Sequence, residues 1–92
     1  MILVTKIKMR PGYWASRDLT EIDSVYLTGV KEPGFYHKEA VHDYLMEYPG
    51  DIQVGLWPYP DVIPATSIRG EKYVKSEPNQ FGYDNLLSLP KE

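Results

Sequence analysis

Apolar and charged residues alternate from Ile2 to Met9, with Leu3, Thr5, Ile7 and Met9 on one side and Lys6, Lys8 and Arg10 on the other. A period of two with one charged side predicts a half-buried strand. Pro11-Gly12 closes it, and Tyr13 to Glu21 keeps no steady period, which predicts a loop carrying Trp14 and Arg17. Ile22 to Thr28 resumes a strand that Gly29 ends, and Pro33-Gly34 then reads as a turn.

After that turn the period changes. Val41, Tyr44, Leu45 and Tyr48 recur at helical spacing between His37 and Tyr48, with Lys38, Glu39, Asp43 and Glu47 opposite. One amphipathic helix is expected, stopped by Pro49-Gly50. Ile52, Val54 and Leu56 alternate as a further strand whose pairing Pro58 and Pro60 limit. Val62 to Ile68 and Lys72 to Lys75 predict two strands joined at Arg69-Gly70-Glu71, where glycine can take positive φ. The expected order is β-β-α-β-β-β, an α+β fold with a mostly antiparallel sheet of about five strands and one helix packed on a face. The tail from Ser76 to Glu92 places Leu86-Leu87-Ser88-Leu89 among prolines, and should wrap against the body.

Composition narrows the class. A chain of 92 residues, 42% hydrophobic and 25% charged, supports a single domain over 1–92 with one core. The absence of cysteine excludes disulfides, thiolate catalysis and cysteine zinc sites. A net charge of −3 opposes duplex nucleic acid and anionic membrane surfaces. No apolar run reaches the ~20 residues of a membrane helix, and Met1–Val4 is too short for a signal-peptide core, so a cytoplasmic location is expected.

The ending carries a resemblance. Tyr73-Val74-Lys75-Ser76-Glu77-Pro78-Asn79, followed by Asp84-Asn85-Leu86-Leu87-Ser88-Leu89-Pro90, resembles the close of the small bacterial and phage family known as domain of unknown function 3892. The resemblance implies the same element order and brings no assigned activity.

Candidate chemistry is sparse. His37 and His42 are five apart, a spacing that does not place two ligands on one helical face, so no metal site is expected; His37 reads as a residue near the helix start and His42 as an exposed one. Ser, His and carboxylate residues are present, but not in a Gly-x-Ser-x-Gly or comparable context, and no glycine loop cradles a phosphate. The chain is therefore read as a non-catalytic module with no cofactor.

Lys75 to Asn85 combines a cation, amides and two rings, so Lys75, Phe81, Tyr83, Asp84 and Asn85 form a candidate site for a nucleotide-like ligand. The competing reading has Asp84 and Asn85 bridging backbone groups of the tail while Leu86, Leu87 and Leu89 finish the core. Trp14 and Arg17 form a second candidate, either a binding hot spot or an indole folded over the sheet with the guanidinium stacked upon it. Trp57-Pro58-Tyr59-Pro60, with Met46, offers an aromatic ridge for a homo-oligomer or for its own sheet. Two functions are carried forward. One is a small-ligand-binding module, of phage anti-defence type, that sequesters a nucleotide-like immune signal. The other is an acidic inhibitor or adaptor that masks a host protein.

Overall fold

A computed structural model describes residues 1–78 and 85–92. Its elements are β1 (Ile2–Met9), β2 (Ile22–Thr28), β3 (Gly34–His37), α1 (Lys38–Glu47), β4 (Ile52–Val54), β5 (Val62–Thr66) and β6 (Lys72–Ser76), with short 3-10 turns at Leu19–Glu21 and Asn85–Ser88. The class is α+β, as the patterning implies. The strands form a four-stranded sheet in the order β3-β2-β1-β4 and a two-stranded hairpin of β5 and β6. All pairings between strands are antiparallel except β1 with β4, which run parallel.

The extra strand is β3, which occupies part of the stretch read as a turn. Four residues are too few to display a period, and only pairing with β2, from Ser24↔His37 to Leu27↔Gly34, defines them as extended. In β1 the simple alternation fails at Thr5. Pairing passes from Val4↔Leu27 to Lys6↔Tyr26, so Thr5 is a bulge that switches the faces. Val4, Ile7 and Met9 are consequently the buried residues of β1, rather than the regular set Leu3, Thr5, Ile7 and Met9.

The helix is also rotated from the expected face. Its buried stripe is Lys38, Val41, His42 and Leu45, while Tyr44 and Tyr48 are exposed. The rotation follows from α1 packing chiefly on the β5–β6 hairpin, and less extensively on β2 and β3. His42 is therefore buried, and Lys38 is 2% exposed. Burial of an ammonium demands partners, and Lys38 Nζ donates to the Thr20 carbonyl and to Glu71 Oε1 at 3.0 Å. Arg10 Nη2 donates to the same Glu71 oxygen at 2.8 Å, and Arg10 Nε lies 3.6 Å from Glu21. This network ties the end of β1, the first 3-10 turn, the helix start and the hairpin turn together.

Leu56 and Ile68 lie beyond the ends of β4 and β5 and are exposed, so both of those strands are shorter than their apolar patterns. The prolines after β4 end it, and the chain returns at once: Val54 N–H donates to the Pro60 carbonyl and Gln53 bridges Asp61. The tail docks on β1 beside the point where β4 leaves it. Ile7 N–H donates to the Pro90 carbonyl and Glu92 N–H to the Ile7 carbonyl, both at 3.0 Å. Leu86 and Leu89 complete the core around Ile7, Val25, Leu45 and Val62, while Leu87 packs only partly against it.

Candidate functional site

The loop between β1 and β2 is built from turns. Arg10 N–H donates to the Glu21 carbonyl at 2.8 Å and closes its base, Tyr13 N–H donates to Arg10, and Ser16 N–H donates to Tyr13. Asp18 caps the 3-10 turn that follows, accepting from Thr20 N–H at 2.9 Å and from the Thr20 hydroxyl at 2.7 Å. These bonds hold the Asp18 carboxyl below its ordinary range. The rings of Tyr13 and Trp14 are left at the surface, with Trp14 60% exposed.

Lys91 Nζ donates to the Trp14 carbonyl at 2.8 Å and joins this loop to the tail. Between loop and tail lies a polar cleft of about 440 Å³, lined by Trp14, Ser16, Arg17, Leu87, Ser88 and Lys91. It carries two cations and two serine hydroxyls beside an indole, and its lining contains no carboxylate. Arg17 makes no ion pair with any described residue. In a chain of net charge −3, this is a local reversal of sign that suits a small anion with a flat ring.

The residues expected to form the other site are not gathered in this way. Lys75 lies on β6 opposite Ile63, half-buried, between the buried Val74 and Ser76. Strand alternation therefore sends it to the opposite face from them. Asn85 is 2% exposed, and its N–H donates to Ser76 Oγ at 3.1 Å on the inner side. Lys75 and Asn85 thus belong to different faces. Phe81, Tyr83 and Asp84 lie outside the described residues. Trp14 and Arg17 do meet around one cleft, and the partners that patterning missed are Ser88 and Lys91. A serine and a lysine in a tail have no signal of their own until the tail is paired to β1.

One cluster has the residue types of a hydrolytic triad. Ser24 Oγ donates to Asp23 at 2.7 Å and lies 3.5 Å from His37 Nδ1, with Asp23 Oδ2 3.8 Å from the same nitrogen. A relay needs the imidazole to face the nucleophile with one nitrogen and the carboxylate with the other. Here both approach Nδ1, and Ser24 is buried, so the cluster is a tie between β2 and the helix start. His42 and Lys72 instead flank Asp43, at 3.2 Å and 2.9 Å, and Lys72 leads in holding that carboxyl below its ordinary range.

Among the described residues no helix is long and apolar enough to cross a membrane. Comparison with curated proteins and with solved structures found no match. A family model does match, and it takes in both the Trp14–Arg17 loop and the Asn85–Ser88 turn that face each other across the cleft. It covers residues 5–90 and is described as a protein of unknown function (DUF3892), so the chain belongs to that family.

Proposed function

We propose that the protein is a non-catalytic binding module that captures a small anionic, nucleotide-like ligand in the cleft between the β1–β2 loop and the tail. The observation that carries this reading is the pairing of Arg17 and Lys91 around an exposed indole with no carboxylate in the lining. Guanidinium and ammonium groups would make charge-assisted hydrogen bonds to phosphate oxygens. The Trp14 ring would offer a stacking face to a base, and Ser88 a hydroxyl at the edge. Lys91 is already oriented by its bond to the Trp14 carbonyl, which leaves its other two N–H groups for a ligand.

Calorimetric titration with nucleoside mono- and diphosphates, linear and cyclic, tests the reading. Arg17→Ala and Lys91→Ala should each weaken binding by about 1.5–3 kcal/mol, the scale for a hydrogen bond to a charged group. Trp14→Ala should cost about 1–3 kcal/mol if a base stacks on the indole. Absence of heat across the panel would end this assignment.

A further inference from the structure

The helix is turned toward the hairpin, and a gap follows from that turn. Where α1 passes over the inner face of the four-stranded sheet it contributes Ala40, Val41 and Tyr44 to the wall, and the Ala40 methyl group fills little of the space. A pocket of about 220 Å³ remains, lined by Leu27, Val30, Tyr36, Ala40, Tyr44 and Ile52 among others, all of them apolar or aromatic. An apolar cavity of roughly 150 Å³ accepts a benzene ring, so this one holds a single ring with a short substituent and is too small for a nucleotide.

Two phenol hydroxyls belong to its lining. Tyr36 donates its hydroxyl to the Glu32 carbonyl at 2.6 Å, which turns the phenol's polar end outward. Tyr44 donates its hydroxyl to Asp51 Oδ2, and that bond holds the phenol above its ordinary pKa, so it remains a neutral donor. Asp51 itself is exposed and makes no ion pair with a described residue. The Asp51 carboxylate thus stands at the hydroxyl of the lining Tyr44, whose ring lies 5.0 Å from that of Tyr48. Aromatic faces next to a carboxylate favour an organic cation over a neutral molecule or an anion.

We propose that this pocket binds a small hydrophobic amine, with the carbon body between Ala40 and the sheet and the ammonium at the rim against Asp51 and the Tyr44 ring. The site is separate from the loop–tail cleft and takes the opposite charge.

The test is a titration of the full chain, followed by amide NMR, with phenethylamine, the neutral 2-phenylethanol and the anionic 3-phenylpropionate. Phenethylamine should shift the amides of Val30, Ala40 and Tyr44 saturably, and bind about tenfold more tightly than the alcohol, the scale of one hydrogen bond to a charged group. The propionate should leave these amides in place. Ala40→Leu, on an exposed helical position where leucine ranks just below alanine in helix propensity, should fill the pocket and abolish the shifts without lowering the melting temperature. Asp51→Asn, at an exposed residue, should erase the preference for amine over alcohol. Equal affinity for alcohol and amine, shifts that survive Ala40→Leu, or no shift at millimolar amine would each overturn the proposal.

Discussion

Lys38 and Glu71 meet at 3.0 Å, and through that contact the first turn of the only helix among the described residues is bound to the turn of the β5–β6 hairpin. Lys38 is buried and Glu71 is about a third exposed, so the two partners stand in different dielectrics. The ammonium has the greater need of the bond. Its second acceptor, the Thr20 carbonyl, places the 3-10 turn in the same assembly.

Lys38→Met should therefore destabilise the fold although methionine keeps the apolar stem. It leaves the Thr20 carbonyl with only the longer 3.4 Å bond from Arg10 Nη2 and removes one of two cations from Glu71. Breaking a buried pair costs about 3–5 kcal/mol, and because Arg10 still neutralises Glu71 the loss should fall at the low end. Urea unfolding of Lys38→Met, Glu71→Gln and the double variant gives the coupling directly. Additive effects would mean that the pair contributes nothing as a pair.

Acid should weaken the same assembly. The hydrogen bonds from Lys38, then from Arg10, hold the Glu71 carboxyl below its ordinary range in the folded state. Its contribution is therefore fully present above the unfolded glutamate value of about 4.3, and is lost as pH falls from there through the lowered folded value. The difference in melting temperature between the wild type and Glu71→Gln should be constant from pH 7 to 5 and shrink below about pH 4.3. Asp18 and Asp43 are lowered as well, so Glu71→Gln should retain part of the acid slope.

Leu86 and Leu87 are adjacent but should respond unequally. Leu86 has no exposed surface, and Leu86→Ala should cost about 2–5 kcal/mol. Leu87 packs only partly against the core and lines the cleft, so Leu87→Ala should melt much closer to wild type while changing nucleotide affinity. Equal losses of stability in thermal melts would contradict the docked position of the tail.

Trp57 and Tyr59 are 72% and 50% exposed, with Leu56 and Met46 also at the surface. Exposed aromatic groups of this size favour association of a second copy. Sedimentation at high micromolar concentration should show a dimer, and Trp57→Ser should return the chain to a monomer with an unchanged melting temperature. A monomer in the wild type would leave the ridge without a role in self-association.

Local patterning alone determined much of this protein. The extended run Ile22–Thr28, the existence of one helix ended by Pro49-Gly50, the hairpin through Gly70 and the apolar tail each declare themselves within a few residues, because propensity, period and turn chemistry agree there. Trp14 and Arg17 were also legible, as a ring and a cation in a loop with no core period. What the neighbours in space decided is of another kind. The bulge at Thr5 depends on how β1 registers against β2, and it changes which residues of β1 are inside.

The face of α1 depends on the hairpin beneath it. Patterning had no reason to place Lys38 and His42 inward, because their burial is tolerable only once Glu71 and the Thr20 carbonyl supply partners for Lys38, and Asp43 one for His42. Lys75 and Asn85 looked like one site because they are near in sequence, yet strand alternation and burial set them on opposite faces. Lys91 joined Trp14 and Arg17 only because the tail pairs with Ile7, a contact 84 residues apart that no local window contains. Secondary structure here is a short-range property of the chain, whereas the cleft is a product of long-range pairing, and its chemistry exists only in the folded state.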